Sequence, residues 1–414
     1  MKQLSLDSQI RTGAIQLGRG NIISATDIAN KPGDYPIYSS SAQGTGEFGR
    51  YADYMFDEEL ITWSVDGGGR FFFRPKHKFS VTNVCGYMRT QDEVWNRGFV
   101  YYSLDFQHSR MAFDYQTKAH PSVIRHIYSL GDVSLPEQTE IADILFTVDR
   151  AIDETDALIV KQQYIKTGLM RNLFTSGIDQ HGSVRSEQNH KFKHSPLGRI
   201  PIEWGFSRLE SIGRWASGGT PAKANPNYWG DEVPWLCPKD MKTFDIDSTI
   251  DRLTQAGVRH GSRLMPEKTV FIVVRGMILA HTFPVCIANR PMAFNQDVKA
   301  IAAGPDVEAR FLAYWLVSQS DNFLKLTTTA THGTKRFDMS ELFDVVMPVP
   351  EKEEQTRVVA RLDAAEAQID SNRKIVSKLH SLKTALMQDL LTGRKSLAAL
   401  LEPEPKSEKT YAQR

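Results

Sequence analysis

Three stretches of this sequence bring together residue types that could do chemistry. In "SGGTPAKANPNYWGDEVPW" at 217 to 235, the "ANPNY" element is close to the Asn-Pro-Pro-Tyr motif of adenine methyltransferases, but Asn227 stands in place of the second proline. No glycine-rich cofactor loop follows a strand and opens a helix, so cofactor binding lacks its usual cradle. "VDGGGR" at 65 to 70 lacks the lysine and hydroxyl of a phosphate-binding loop. "CPKDMK" at 237 to 242 sets a carboxylate beside lysines without the further acids that a metal-dependent nuclease needs. Histidine numbers 11, in no ligand spacing, and Cys85, Cys237 and Cys286 form neither a C-x-x-C pair nor an even disulfide set. The expectation is a chain with no catalytic residues, no metal and no cofactor of its own.

What remains in these stretches is hydrogen-bonding capacity held on stiff loops. Gly218, Gly219 and the prolines exclude helix and central strand from 217 to 235. Ser217, Thr220, Asn225 and Asn227 are free to bond outward, while Tyr228, Trp229 and Trp235 can brace the loop from below. The glycines are expected to let backbone approach a phosphate closely. At 414 residues and 41% hydrophobic composition the chain can build two to four domains. Its longest strongly apolar run, "TVFIVV" at 269 to 274, is far too short to cross a membrane, and "MKQLSLDSQIRTG" holds no apolar signal segment. A cytoplasmic protein with no membrane partner is expected. The net charge of +1 means that any polyanion would have to be met by locally sorted charge or with help from partners.

The elements that position these loops are set by an internal repeat. "PEQTEIADILFTVDRAIDETDALIVKQQYIKTGLMRNLFTSG" at 136 to 177 aligns without a gap on "EEQTRVVARLDAAEAQIDSNRKIVSKLHSLKTALMQDLLTG" at 353 to 393. A constant offset of 217 places Glu137 on Glu354, Gln138 on Gln355, Lys161 on Lys378, Lys166 on Lys383 and Leu173 on Leu390. Both segments lack internal proline and end at a glycine, Gly177 or Gly393, suited to cap a helix. Apolar residues step at about 3.5 spacing through Ile141, Leu145, Val148 and Ile152, and through Val358, Leu362, Ile369 and Val376. A helix of about 40 residues spans roughly 60 Å, more than a small domain is wide. Two such stripes most simply pack on one another as a coiled coil; the alternative is that each packs only on its own domain. Residues 137 to 177 carry 4 basic against 7 acidic side chains and residues 354 to 414 carry 11 against 8, opposite signs that favour pairing.

The segments before each helix are then corresponding globular units of mixed α+β character, with "HPSVIRHIYSLGDVSLP" and "HGTKRFDMSELFDVVMP" as matching approaches. The expected plan is a first domain at 1–135, a long helix at 136–177, a polar linker at 178–203, a second domain at 204–352, a second long helix at 353–394 and a disordered tail at 395–414. The two halves are expected to be related by pseudo-two-fold symmetry.

The doubled helix, the "SGGTP...NP.YWGDEVPWLCPKDM" opening of the second unit and "YPIYSSSAQGTGEFGRYADYMFDEELITWSVDGGGRFFF" in the first together resemble the specificity subunits of type I restriction-modification systems. The resemblance covers essentially the whole chain. It implies two target-recognition domains, each reading one half of a split site on double-stranded DNA, held apart by the two helices paired as an antiparallel coiled coil. It also implies docking of two methyltransferase (modification) subunits and two restriction/translocase subunits. S-adenosylmethionine, ATP and magnesium would belong to those partners. Two other readings stay open: a stand-alone DNA-binding regulator, and a methyltransferase with fused recognition domains.

Candidate DNA contacts follow from side-chain type. Gln reads adenine and Arg reads guanine in two-point fashion, while Lys and backbone N–H groups suit phosphates. In the first unit these are Ser39, Ser40, Ser41, Gln43, Thr45, Arg50, Arg70, Arg74, Lys76 and Lys78. Phe71, Phe72 and Phe73 are expected to be core, with Phe71 and Phe73 on one strand face. In the second unit they are Ser217, Gly218, Gly219, Thr220, Lys239, Lys242, Arg275, Asn295, Gln296 and the run Thr331, His332, Thr334, Lys335 and Arg336.

Overall fold

The structure is a computed structural model that describes residues 2–41, 44–66, 68–111, 119–329, 333–395 and 397. It divides into two compact units, Met1–Ala157 with Asn372–Arg414, and Leu158–Ser371. Each unit therefore contains one globular part, half of the long helix Leu135–Thr175 and half of the long helix Lys352–Leu391. Both helices close on a glycine in the left-handed region, Gly177 at φ 66° and Gly393 at φ 69°, the conformation that lets the last carbonyls find partners without a Cβ penalty.

In the first unit a six-stranded sheet runs in the order Ile15–Arg19, Cys85–Thr90, Phe56–Ser64, Phe71–Val81, Tyr35–Tyr38, Glu47–Tyr51. All neighbours are antiparallel except Tyr35–Tyr38 against Phe71–Val81. The second unit has a five-stranded sheet in the order Gly213–Ser217, Val298–Ala303, Val270–Val273, Val285–Ala288, Asp245–Ile246, again antiparallel until a last parallel pair. Five strands thus follow one connectivity and one set of orientations in both units. The second unit adds a three-stranded sheet with Trp229–Leu236 at its centre between Arg252–Leu253 and Ala293–Phe294, contrary to the expectation that the prolines exclude a central strand from 217 to 235. Pro234 is tolerated because it pairs only with Arg252 on one side, past a register shift, while Ala293–Phe294 pairs only with Trp235 and Leu236 on the other.

A helix packs on each sheet, Arg97–His108 in the first unit and Ala309–Ser318 in the second. Asn96 caps one through its side chain and Glu308 caps the other. Each cap is in turn held by a buried glutamine from the start of a long helix. The amide oxygen of Gln138 accepts from the backbone N–H of Asn96 at 2.8 Å, and its nitrogen donates to the carbonyls of Val94 at 3.2 Å and Val133 at 3.0 Å. Gln355 accepts from the N–H of Glu308 at 2.7 Å and donates to Asp306 and Pro350, both at 2.8 Å. The same three bonds are made twice, by residues that the repeat places on each other.

The helix halves pair within each unit through repeat-related charges. Lys383 binds Asp149 at 2.6 Å in the first unit, and Lys166 binds Glu366 in the second. The rings of Tyr102 and Tyr314 lie 5.4 Å and 5.5 Å from the two lysines, so a residue of the globular part touches each pairing; Tyr102 also donates to Asp149 at 2.7 Å, whereas Tyr314 donates at 2.6 Å to Asp363, which pairs with Arg310. In each unit the N-terminal half of one helix meets the C-terminal half of the other. Ile141, Leu145, Val148, Ile152, Val358, Leu362 and Ile369 are buried, and Val376 is half-buried. Not all of the stripe faces a partner helix. Ile141 and Leu145 belong to the first globular core with Trp95, Phe99 and Tyr102, and Val358 and Leu362 to the second with Phe311 and Leu312. A long helix can seat its ends in a core and still present its middle to another helix, which is what 3.5-residue periodicity alone cannot distinguish.

Segment 178–203 is more than a polar spacer. It forms the hairpin Phe192–Ser195 with Gly198–Pro201, and it closes over the buried carboxylate of Glu354. Arg185 forms an ion pair with Glu354, the N–H of Ile178 donates to it at 3.0 Å, and the indole of Trp204 donates at 3.1 Å. A carboxylate this deep is held only because every lone pair is answered. Of the expected tail, Leu397 is buried in the first unit's core, and the remainder from 398 onward lies outside the described residues.

Gln355→Ala leaves one buried N–H and two buried carbonyls without partners and is expected to cost about 2–4 kcal/mol in urea unfolding. Gln138→Ala is expected to cost a similar amount; a loss under about 0.5 kcal/mol at either site would show that the socket is not a determinant of the fold.

Candidate nucleic-acid interface

In the second unit the loop that begins at Ser217 is fastened from beneath. The indole of Trp235 donates to the carbonyl of Gly219 at 3.0 Å, Trp229 packs edge-on against Trp235 at 5.2 Å, and Tyr228 stacks on His260 at 5.5 Å. The aromatic residues therefore brace the loop as their positions suggest. The glycines differ from expectation. A Cβ on Gly218 would sit 2.2 Å from the carbonyl oxygen of Phe294, and one on Gly219 would sit 2.4 Å from that of Gly261. Both glycines are needed for close packing inside the unit, and their bare side faces protein, not phosphate.

Contacts then lead from this loop across one surface. Thr220 donates to the side chain of Gln296 at 2.5 Å, and Lys299 donates to Ser217. Next to Gln296, Asp297 receives Arg275 in an ion pair of 2.7 Å. Arg275 also bridges to Arg336 through the backbone, and the N–H of Gly276 donates to the carbonyl of Lys335 at 3.0 Å. Strand Lys335–Phe337 pairs with Thr327–Thr329, so Thr328 lies opposite Arg336. Ser217, Thr220, Gln296, Arg275, Lys335 and Arg336 are thereby brought together, with Thr334 at the edge of the strand. Asn295 is set apart by burial: it accepts from the N–H of Asp297 at 3.0 Å and shapes the turn instead of offering its amide outward. Thr331 and His332 lie outside the described residues. Lys239 and Lys242 are carried by a different segment, where Lys239 pairs with Asp251 at 2.7 Å and Lys242 is exposed.

Three members of this surface carry no motif in the sequence. Lys299 is an isolated lysine on strand Val298–Ala303, Asp297 orients Arg275, and Met277 is 62% exposed at the turn beyond Arg275. The only signal for Lys299 is alternation along the strand, which gives its direction but not its neighbours. Four cations against one carboxylate make the patch locally positive although the chain is near neutral. Arg275 is exposed although its partner Asp297 is half-buried, so the pair is only weakly stabilised and the guanidinium stays available to a phosphate or a guanine edge.

The first unit offers a different set of groups. Ser39 bonds to Thr82 at 2.9 Å, its N–H donates to Gly46 at 3.1 Å, and Ser64 donates to the carbonyl of Ser40. Ser41 and Thr45 are exposed on the same loop, and Gln43 lies outside the described residues. Arg70 is exposed over the ring of Phe72 at 5.0 Å. Arg74 does not reach the surface. It is buried between Tyr38, 3.5 Å from the ring centre, and Phe72 at 4.6 Å, and it donates to Thr62 at 2.9 Å. Burial holds its guanidinium below its ordinary pKa, and its work is to support the loop from behind. Phe71 is buried, and Phe73 packs on Tyr101 and Phe146, as the strand alternation implies. Arg50 pairs with Glu47 at 2.8 Å, Lys78 lies over Tyr54 at 4.7 Å, and Lys76 is exposed.

Among the described residues no group of three His, Cys, Asp or Glu could hold a metal ion, and no helix is long and apolar enough to cross a membrane. The three cysteines are buried and unpaired; burial pushes the thiols of Cys85 and Cys237 up to about 12, with Asp240 adding to the effect at Cys237.

The family described as "Type I restriction modification DNA specificity domain" matches residues 14–161 and 201–381. The EcoR124I/EcoR124II specificity subunit of Escherichia coli is 32% identical over 183 residues, 44% of this chain and 45% of that one. The MjaVIII specificity subunit of Methanocaldococcus jannaschii is 24% identical over 354 residues, 81% of this chain and 78% of that one. The match to the Escherichia coli relative thus spans less than half of that protein's length. A crystal structure of a type I restriction-modification system S subunit from M. genitalium aligns with a TM-score of 0.58 at 16% identity, covering 94% of this chain and 96% of that one, which is a likeness of fold.

Arg336→Ala is expected to weaken binding to duplex oligonucleotides of any sequence and to lower the slope of log K against log salt by about one. Arg74→Ala is expected instead to lower unfolding stability by about 2–3 kcal/mol and to leave the salt slope unchanged. Fluorescence anisotropy across a KCl series, beside urea unfolding, separates the two, and equal salt slopes for Arg336→Ala and the parent chain would remove that residue from the interface.

Proposed function

This chain belongs to the type I restriction-modification DNA specificity family, and we propose that it reads an asymmetric, two-part site on double-stranded DNA while docking modification and restriction subunits. The observation that carries this reading is one scaffold bearing two unlike polar surfaces. Five strands and a socketed helix recur in both units, but Ser39, Ser41, Thr45 and Arg70 on one are replaced by Ser217, Thr220, Gln296, Arg275, Lys335 and Arg336 on the other. Like scaffolds present like faces to a duplex, and unlike side chains read unlike bases, so the halves of the site differ.

The two long helices set the gap between the halves and pair antiparallel as a coiled coil. The repeat-related ion pairs Asp149–Lys383 and Lys166–Glu366 support that pairing. Spacer length is then a property of rigid rods, at about 3.4 Å for each base-pair step. The chain itself performs no catalysis. Two modification subunits would methylate adenine with S-adenosylmethionine, and two restriction subunits would use ATP and magnesium. The near-neutral net charge fits a reader whose grip on DNA is shared with such partners. The cytoplasm, where DNA is accessible, is the proposed place of work.

Methylome sequencing of cells that carry this chain with its modification subunit is the direct test. The expected result is adenine methylation in one interrupted motif whose two halves differ, and Arg275→Ala, which removes a guanidinium able to reach a guanine edge, should relax one half only. A continuous or palindromic motif, or methylation independent of this chain, would refute the reading.

A further inference from the structure

We infer that the two modification subunits dock unequally, the copy on the first long helix more tightly than the copy on the second. This rests on the docking reading above. On the second unit's part of the first helix, Leu158, Val160, Tyr164 and Ile165 are all exposed, Tyr164 by 75%. A Cβ on Gly168, exposed on the same outer side, would meet nothing within 4 Å, so the face between these side chains is open to an incoming element. A helix end seated in its own core does not need four large apolar groups in water.

The repeat places Leu158 on Ile375 and Ile165 on Leu382, and these too are exposed, on the first unit's part of the second helix. Two apolar residues one heptad apart, presented twice at the same offset, fit an occupant that lies along a helix and comes in two copies of one chain. The remaining positions differ. Val160 falls on Ser377 and Tyr164 on Ser381, both exposed serines. Exposed Lys374 and Lys378 flank the second face, whereas Lys161 alone is the cation among the exposed outer positions 158, 160, 161, 164, 165 and 168 of the first. Identical partner surfaces cannot complement both faces equally. One meets a valine and a tyrosine, which bury apolar area, and the other meets serines and a second lysine. Tyr164 in particular offers a rigid ring with a polar tip, the kind of group that anchors interfaces.

Titration of the full chain with its modification subunit, followed by native mass spectrometry and calorimetry, tests this. The expected result is a populated one-to-one complex and two dissociation constants separated by roughly thirtyfold or more. The double variant Val160→Ser with Tyr164→Ser should bring the ratio down toward the statistical factor of about four for equal sites, short of it only by what Lys374 against Ala157 contributes. Ser377→Val with Ser381→Tyr should tighten the second step by roughly tenfold. Both pairs of positions are exposed, so unchanged helical circular dichroism is expected to accompany these shifts. Two constants within the statistical factor for the parent chain overturn the inference and leave the docking reading standing. No complex at all overturns both. Self-association of the chain that is lost in Tyr164→Ser would assign the face to a second copy of this chain and overturn the inference as well.

Discussion

A buried glutamine at the first turn of each long helix is the constraint on which the rest of the structure depends. Gln138 and Gln355 each answer three backbone groups, and two of the three belong to the loop and cap that start the helix packed on the sheet. An amide in that position has one acceptable orientation, because any rotation leaves a buried donor or acceptor empty at a cost of about 1–3 kcal/mol per group. Apolar packing alone would let a helix of this length slide or roll by a residue. The polar socket removes that freedom, and the stripe from Ile141 to Ile152 can then be directed at its neighbours along the whole helix.

With the scaffold fixed in this way, the polar surfaces are free to vary. In the second unit the cations stand on strand ends and turns whose backbone is held by Trp235, Asp297 and the Thr327–Thr329 pairing. In the first unit Arg74 supports the corresponding surface from inside and is not itself displayed. Nothing in the sheet order specifies which side chain occupies each exposed position. A reader built like this can hold its geometry while its sequence preference changes, since direct readout depends on side-chain identity and the scaffold depends on burial.

How much of this was legible follows from how local each signal is. The two helices are written in periodicity and in their terminal glycines, and they run over Leu135–Thr175 and Lys352–Leu391, within a few residues of the expected limits. The sockets were not legible, because Gln138 and Gln355 align at an offset of 217 whereas their partners Asn96 and Glu308 are differently spaced and unlike in type. Segment 178–203 reads as polar linker, since Arg185 looks solvent-bound until Glu354, 169 positions away, is seen to be buried beneath it. Arg74 and Asn295 fail as surface residues for the same reason: a polar side chain announces its chemistry but not its depth. Gly218 and Gly219 show the converse, because a glycine signals a close approach without naming what approaches.

The outer faces of the helices complete the reasoning about symmetry. Inward positions are matched in kind across the repeat, Leu145 with Leu362 and Ile152 with Ile369, because each must fill a close-packed space at the same depth. Outward positions carry no such demand from the fold, and there the copies diverge to Val160 with Ser377 and Tyr164 with Ser381. A valine and a tyrosine held in water lower solubility and contribute nothing to the core they point away from. The fold therefore accounts for the likeness of the two helices but not for their difference. That difference sits on exposed residues of two otherwise matched helices, and the proposal of unequal docking rests on it.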